Sequence, residues 1–354
     1  MKQTNYHVIG VMSGTSLDGV DVAEIHFTIS EATVWQFEIT HAETIPYSEA
    51  WKTTLQQAIS FSEGELDSLN LQYTKYLAEV ISAFITRNSI VNLDAVCSHG
   101  HTILHQPDKG VTLQIGNLPQ LATLLEEKVV CDFRVQDVAF GGQGAPLVPI
   151  GDGILFRQYD YCLNLGGFAN CSFDTDGTRI AYDICPVNIV LNTLAEKLSH
   201  PYDAGGEIAK RGRLDEDLLQ QLNQLEFYRQ SAPKSLGLEW VQQYIQPLLD
   251  ASEASVEDKL NTFTEHVAIQ LSLQFKKESS VLITGGGVYN DFLIARLMHH
   301  KKLNVVIPSS ILIEYKEALI FGLLGVLKLR GEINCLASVT GAKMDHSSGK
   351  IFFH

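Results

Sequence analysis

The chain contains 354 residues, of which 45% are hydrophobic and 19% are charged. This composition excludes a disordered protein, and the length suits two domains better than one small core. The formal net charge of −15 argues against general nucleic-acid binding, because a polyphosphate backbone would be repelled. No apolar run is long enough to span a bilayer, and the N-terminus lacks a basic-then-apolar signal pattern. We therefore expect a cytoplasmic protein without a membrane partner.

Apolar periodicity predicts alternating strands and helices. In the first half, strands are expected over 6–11, 20–27, 33–40, 93–98 and 129–133, and helices over 49–59, over 64–87 and from residue 147. In the second half, strands are expected over 162–165, 168–173, 179–182 and 280–284, and helices over 256–277, from residue 290 and over 314–329. The meander of three strands that opens the chain thus recurs after residue 160. This weak repeat of topology predicts a duplicated fold that closes around a ligand.

The first predicted hairpin carries a turn dense in small and polar residues, Gly-Val-Met-Ser-Gly-Thr-Ser-Leu-Asp-Gly-Val-Asp over 10–21. Backbone N–H groups at such a tip can close on an anion, and Ser13, Thr15 and Ser16 add hydroxyl donors. Asp18 and Asp21 would repel a phosphate unless a cation lay between them, which favours a metal–nucleotide pair. An ordinary glycine-rich hairpin is the alternative.

Two further glycine turns follow predicted strands, Gly166-Gly167 in the second meander and Gly285-Gly286-Gly287 after strand 280–284. At 285–287, open backbone between a strand and a helix suits a nucleotide. For the second of these turns, a tight connection is the alternative. Six scattered cysteines include no Cys-x-x-Cys pair, which predicts reduced, buried thiols and disfavours a cysteine zinc site.

Several motifs in order resemble the anhydro-N-acetylmuramic acid kinases. Besides segment 10–21 they are Ser-His-Gly-His-Thr at 98–102, Gln-Ile-Gly-Asn at 114–117, Asp-Phe-Arg-Val-Gln-Asp-Val-Ala at 132–139, Gly-Gly-Gln-Gly-Ala-Pro-Leu-Val-Pro at 141–149, Leu-Asn-Leu-Gly-Gly-Phe-Ala-Asn at 163–170 and the glycines at 285–287. The resemblance implies an α/β protein with two ribonuclease-H-like (actin-like ATPase) domains and an interdomain cleft. We place the domains at 1–158 and 159–336, with 337–354 packing back on the first.

The resemblance also implies a reaction. Members cleave the 1,6-anhydro ring of anhydro-N-acetylmuramic acid with water and move the γ-phosphoryl of ATP to O6, which gives N-acetylmuramic acid 6-phosphate in peptidoglycan recycling. Two alternatives stay open. One is a kinase of the same superfamily acting on an ordinary sugar hydroxyl, and the other is a nucleotide-dependent binding protein without turnover. A homodimer is the family expectation.

By matching position, Asp183 corresponds to the family's catalytic base, although a helix N-cap is an equally good structural explanation for a carboxylate placed there. Asp18 is expected near Mg²⁺ through water. The predicted nucleotide-binding residues are Ser13, Gly14, Thr15, Ser16, Leu17, Asp18, Gly19, Gly166, Gly167, Gly285, Gly286 and Gly287.

On the sugar side, Arg134 offers a fork of donors for the lactyl carboxylate. His99 and Gln143 are weaker candidates, and a structural hydrogen bond is the more common role for a histidine in Ser-His-Gly. Glu317 and Asn188 are assigned to the sugar by family position, with a solvated helix residue as the alternative for Glu317.

The base motif departs from the family pattern. Many members read Asp-x-Gly-Pro-Gly-Asn, whereas this chain has Asp-Ile-Cys-Pro-Val-Asn over 183–188. Cys185 and Val187 replace both glycines, so a backbone conformation with positive φ at either position would be strained. The departure leaves open an altered substrate preference or rate.

Overall fold

The computed structural model describes residues 3–14 and 16–354, so Met1, Lys2 and Thr15 lie outside the described residues. The chain divides into two compact units. Unit 1 comprises Met1–Leu155 with Tyr315–His354, and unit 2 comprises Phe156–Glu314. The sequence placed the corresponding transitions at 158/159 and 336/337.

The strands, in chain order, are β1 (Asn5–Ser13), β2 (Gly19–Ile29), β3 (Trp35–Pro46), β4 (Ala95–Gln106), β5 (Val111–Ile115), β6 (Val129–Cys131), β7 (Tyr161–Leu165), β8 (Phe168–Thr175), β9 (Thr178–Pro186), β10 (Ser280–Thr284), β11 (Asn304–Val306) and β12 (Lys350–Phe352). The helices are α1 (Glu49–Gln57), α2 (Glu63–Arg87), α3 (Gln120–Leu125), α4 (Val135–Ala139), α5 (Val148–Leu155), α6 (Asn188–Glu196), α7 (Glu207–Arg211), α8 (Glu216–Asn223), α9 (Leu238–Trp240), α10 (Gln246–Ala251), α11 (Val256–Gln274), α12 (Asp291–His300), α13 (Ser310–Leu329) and α14 (Ala337–Thr340).

Both units contain the same sheet topology. In unit 1 the order is β12-β6-β4-β1-β2-β3, with β5 added beside β4, and in unit 2 it is β11-β10-β7-β8-β9. In each sheet three antiparallel strands form a meander, and two later strands align parallel to its first strand. This is the strand order of a ribonuclease-H-like domain. The predicted α/β class with two such domains is therefore confirmed.

Helix α13 belongs mainly to unit 1 because its small residues let it approach the sheet closely. A Cβ on Gly325 would lie 2.1 Å from Cys97 Sγ, and one on Gly10 of β1 would lie 2.0 Å from the Ala318 carbonyl oxygen. The Lys316 ammonium also forms a buried ion pair with Asp152 of α5, at 2.7 Å. These contacts explain why the chain returns to unit 1 at Tyr315, well before residue 337.

The two units have separate apolar cores. In unit 1, strands β1 and β2 pack against α2, whose largest fully buried side chains include Tyr73 and Phe84. In unit 2, strands β7 and β10 pack against α11, which buries Phe263. All six cysteines are free and buried, as predicted. Within residues 3–14 and 16–354, no helix combines the length and the apolar character needed to cross a bilayer.

Candidate active site

The β1–β2 hairpin of unit 1 holds its predicted phosphate-binding residues in different environments. The Ser13 hydroxyl is buried and hydrogen-bonds with Tyr47 Oη at 2.6 Å and His101 Nδ1 at 2.8 Å. Burial lowers the pKa of His101 to about 4, so its ring is neutral near pH 7. At the tip, Gly14 is half-buried and Ser16 is exposed. The tip can therefore meet a ligand, whereas Ser13 is engaged with protein partners.

Other hairpin residues shape the turn. Leu17 adopts a φ of +61°, and its N–H donates to the Gly14 carbonyl at 3.4 Å. Gly19 is required by packing, because a Cβ there would lie 2.3 Å from the Ile45 carbonyl oxygen on β3. The predicted ligand Thr15 lies outside the described residues.

Two carboxylates follow the hairpin tip. The Asp18 side chain is exposed, while its backbone carbonyl accepts from Tyr47 N at 3.3 Å. Asp21, on β2, accepts from the Thr44 hydroxyl at 2.6 Å. An exposed carboxylate beside open backbone fits a magnesium ion that keeps most of its waters.

Arg134 lies at the start of α4 and joins strand β4 to the 141–144 loop of unit 1. Its Nε donates to His99 Nε2 at 2.7 Å, and Nη1 donates to the Gly144 carbonyl at 2.7 Å. His99 Nδ1 in turn donates to the Gly100 carbonyl at 2.9 Å. Burial and the guanidinium both hold the pKa of His99 well below its ordinary value, so the neutral ring accepts from Arg134. His99 thus orients the arginine, which matches the structural alternative.

The same guanidinium keeps one nitrogen without a hydrogen-bond partner among the described residues. Arg134 is half-buried, and among the described residues Nη2 has no hydrogen-bond partner. Glu317 is exposed on α13. Desolvation by the surrounding protein raises the pKa of the Glu317 carboxyl. The positive charge of Arg134 opposes this rise, and the negative charge of Asp21 adds to it. Arg134, Glu317 and Asp21 therefore interact electrostatically within unit 1, although sequence reasoning linked none of them to another.

Asp137 is a functional candidate that the sequence did not single out. Its carboxylate is fully buried and accepts from Gly144 N at 2.7 Å, from the Thr340 hydroxyl at 2.7 Å and from Cys335 Sγ at 3.0 Å. It therefore ties the 141–144 loop to the C-terminal segment. The loop's exposed Gln143 also donates its N–H to the Thr340 carbonyl at 2.8 Å.

In unit 2, Asp183 lies inside β9 and does not cap a helix. Strand β9 continues to Pro186, and Val187 is the N-cap of α6, so the N-cap alternative is wrong. The half-buried carboxylate accepts from Leu236 N at 2.8 Å through Oδ2, and among the described residues Oδ1 has no partner. Burial raises its pKa, and the Leu236 N–H opposes that rise. A carboxylate with one held oxygen and one open oxygen is suited to accept a proton.

The β7–β8 turn is tied to the start of α6. The Gly167 carbonyl accepts from Val187 N at 2.8 Å, and the Gly166 carbonyl accepts from Asn188 N at 3.3 Å. The Asn188 side chain donates to the Leu165 carbonyl at 3.4 Å. Gly167 is exposed and Gly166 is half-buried. The turn thus holds Asn188 a few residues beyond Asp183.

The loop after β10 packs on the end of β7. Gly285 has a φ of +83°, and a Cβ there would lie 2.7 Å from Asn164 Oδ1. A Cβ on Gly287 would lie 2.8 Å from Leu165 Cβ, whereas one on the exposed Gly286 would meet no described atom within 4 Å. Two of the three glycines therefore serve the tight connection, and the middle one leaves backbone open.

Comparison with known proteins decides the family. The family model for anhydro-N-acetylmuramic acid kinase matches residues 6–354. The anhydro-N-acetylmuramic acid kinases of Bacillus thuringiensis subsp. konkukian (strain 97-27) and Bacillus cereus (strain 03BB102) are each 33% identical to this chain, covering 98% of it and 99% of their own length. The chain belongs to this kinase family. It is a phosphotransferase, which sets aside the alternative of a binding protein without turnover.

Among solved structures, component A of (R)-2-hydroxyglutaryl-CoA dehydratase from Acidaminococcus fermentans is similar with a TM-score of 0.46. It is 14% identical, over 92% of this chain and 99% of that one. A likeness this distant has no bearing on activity.

Within the kinase family, the two replaced glycines of the base motif do not stand at positive φ here. Val187 has a φ of −131°, and Cys185 is not among the residues with positive φ. Both side chains are fully buried in the core of unit 2. The positive-φ conformation that would have strained these residues is therefore absent at both positions, and the two side chains fill part of the unit 2 core.

Proposed function

We propose that this kinase cleaves the 1,6-anhydro bond of anhydro-N-acetylmuramic acid with water and phosphorylates O6 from ATP, giving N-acetylmuramic acid 6-phosphate for peptidoglycan recycling. The observation that carries the proposal is the Asp183 carboxylate, with one oxygen held by Leu236 N and a pKa raised by burial. The anhydro reaction needs a base for its water, and transfer to an ordinary hydroxyl can use one for that hydroxyl, so the carboxylate supports either reaction and the product separates them.

The reaction balances with Asp183 as that base. The water oxygen bonds to C1, its proton passes to Asp183 Oδ1, and the C1–O6 bond breaks. O6 then bonds to the γ-phosphorus as the bond from that phosphorus to the β-phosphate oxygen breaks, and ADP leaves. Because the raised pKa brings the carboxylate closer to neutral pH, it is a stronger base than an exposed aspartate.

For the nucleotide, we propose that the open backbone at Gly14 and Gly286 contributes most directly. Ser16, the turn at Leu17 and the exposed Asp18 complete the phosphate side. Thr15, Gly19, Gly166, Gly167, Gly285 and Gly287 remain in the proposed set. Mg²⁺ held near Asp18 through water would neutralise phosphate charge when bound.

For the sugar, we propose that Arg134 binds the lactyl carboxylate through the Nη2 side of its guanidinium. His99 fixes the orientation of that fork, since it accepts from Nε. Glu317, Gln143 and Asn188 stay proposed sugar contacts. A cytoplasmic location and a homodimer are further parts of the proposal, and they rest on the family resemblance.

Product analysis in ¹⁸O-labelled water tests the proposal. With anhydro-N-acetylmuramic acid, ATP and Mg²⁺, the product should gain one water and one phosphate, with the label on the sugar. A product that gains phosphate alone would establish the simple sugar kinase instead.

The Asp183→Asn variant tests the base. It should lose about 100-fold to 10,000-fold in kcat while ATP binding persists. Asp176→Asn, at the exposed turn between β8 and β9, is the matched control and should retain full activity. Equal activity in both variants would exclude Asp183 as the base.

A further inference from the structure

Three histidines and one glutamate lie on one face of the unit 1 sheet, away from the hairpin tip. In the β1–β2 ladder His7 is directly opposite His26, and in the β2–β3 ladder Glu24 is directly opposite His41. Directly opposite residues of antiparallel strands present their side chains on the same face. The register therefore gathers four potential metal ligands.

Glu24 is the centre of this cluster, and its two oxygens have different partners. Oε2 accepts from the Thr40 hydroxyl at 2.6 Å and lies 2.6 Å from His41 Nδ1. Oε1 lies 2.7 Å from His7 Nε2 and 3.9 Å from His26 Nε2. One oxygen is thus fixed by outer partners, while the other faces two imidazoles.

The charge state of Glu24 favours a cation. Its residue is only 6% exposed, and among the described residues it pairs with histidines and with no lysine or arginine. His41, Thr40 and His7 surround its two carboxylate oxygens at 2.6–2.7 Å. A buried carboxylate without a permanent cation is costly unless neighbouring groups supply positive charge.

The two facing histidines are pre-positioned beside an open space. Their rings stack with centroids 4.1 Å apart and an interplanar angle of 15°. The His7 backbone is fixed because its N–H donates to Asp94 Oδ2 at 2.8 Å. A pocket of about 340 Å³ is lined by both histidines and by Asp94.

We propose that His7 Nε2, His26 Nε2 and Glu24 Oε1 bind a divalent transition-metal ion of the zinc class, with water in the fourth position. The three ligand atoms lie within 4.8 Å of one another. Tetrahedral zinc with bonds of 2.0–2.1 Å places its ligand atoms about 3.3 Å apart. The observed separations of 2.7 and 3.9 Å to Oε1 bracket that value, and the two rings must rotate out of their stacked arrangement to direct both nitrogens at one ion. Thr40 and His41 then orient the carboxylate from outside, as partners of metal ligands commonly do.

The proposed site is separate from phosphoryl transfer. His7 precedes Ser13 by six positions on β1, which corresponds to about 20 Å along an extended strand. The ion would join β1 to β2 at the far end of the sheet from the hairpin tip. Phosphotransferase activity is therefore expected to be independent of the ion.

Titration of the metal-free full chain with Zn²⁺ tests this inference, by calorimetry at pH about 7.5, where imidazoles are mostly neutral. We expect one saturable site per chain. His26→Ala should weaken binding by more than about 10-fold, and Thr40→Val should weaken it by about 10-fold because it removes only an outer partner. His200→Ala, at an exposed position of unit 2, should bind as the unaltered chain does. Co²⁺ in the same site should give the visible absorption of a four-coordinate ion, lost in His26→Ala.

The variants also report on folding. His26→Ala should keep its urea midpoint without metal and its full phosphotransferase activity. No saturable Zn²⁺ binding by the unaltered, active chain would overturn the inference, because the cluster would then be a hydrogen-bond network alone. Equal Zn²⁺ affinity in His26→Ala and His200→Ala would overturn it as well.

Discussion

Asp137→Asn should destabilise the link between the 141–144 loop and the C-terminal segment. The carboxylate receives three donors, and its amide replacement can accept at only one oxygen. In the less costly orientation the amide oxygen keeps Gly144 N–H, and the amide NH₂ faces Thr340 and Cys335. The Thr340 hydroxyl can then turn fully to the Leu336 carbonyl, which lies 3.3 Å away.

The loss in free energy of unfolding follows from the change from charged to neutral hydrogen bonds. A hydrogen bond to a charged group contributes about 1.5–3 kcal/mol and a neutral one about 0.5–1.5 kcal/mol, so one weakened bond and two that neutral contacts replace amount to about 3 kcal/mol. Relief from burying the charge offsets part of this. We therefore expect a loss of about 2 kcal/mol for Asp137→Asn, and about 4 kcal/mol for Asp137→Ala, which leaves buried donors unpaired.

Urea unfolding together with hydrogen exchange of residues 141–144 and 335–346 measures both effects. Asp345→Asn is the matched control, because Asp345 is exposed in the same segment and its replacement still offers an oxygen to Ala337 N. We expect a change within about 0.5 kcal/mol there. If Asp137→Asn and Asp345→Asn had the same midpoint and the same exchange protection, Asp137 would not hold the loop.

Three further predictions concern the sugar site, the base and the packing of α13. Arg134→Lys keeps the charge but loses the fork, so the KM for the sugar should rise about 10-fold or more with little change in the KM for ATP; an unchanged sugar KM would remove Arg134 from the site. Because the pKa of Asp183 is raised, a pH–rate profile should show kcat/KM falling with decreasing pH around a pKa above that of an ordinary aspartate. A fall centred on the pKa of an ordinary aspartate would contradict this. Gly325→Ala forces a Cβ against Cys97 and should lower the free energy of unfolding in urea by about 1–3 kcal/mol. The control Gly64→Ala, in open space on α2, should leave that free energy unchanged or raise it by up to about 1 kcal/mol. Equal urea midpoints in the two variants would refute close packing of α13 on the sheet.

The repeated meanders were predictable because their strands are rich in apolar, β-branched and aromatic residues and their turns carry glycine. Strand β10 has the predicted bounds, and α2 differs from its predicted start by one residue. Strand β4 runs past its predicted end to Gln106, since it continues through a polar stretch where Gly100 has a φ of +76°. Apolar periodicity does not predict a strand that bends at a glycine and then pairs with β5.

Part of the candidate site could not be found from sequence because it depends on distant backbone. Leu236 N reaches Asp183 across 53 residues, and Thr340 reaches Asp137 across 203. Neither contact has a local pattern. The sequence holds one indirect sign of Asp137, the glycine at position 142. The structure explains that glycine, because a Cβ there would lie 2.2 Å from Asp137 Oδ2.

The glycine-rich motifs contain two kinds of glycine, which the sequence alone does not separate. At Gly10, Gly19 and Gly287 a Cβ would meet protein atoms at 2.0, 2.3 and 2.8 Å, so packing is sufficient to require glycine there. At Gly14 the nearest such atom is 3.6 Å away, and at Gly286 no described atom lies within 4 Å. Packing does not require glycine at these two positions, and φ is positive at neither. The backbone at these two positions is therefore open, and its contact with the nucleotide stays a proposal that the structure neither requires nor prevents.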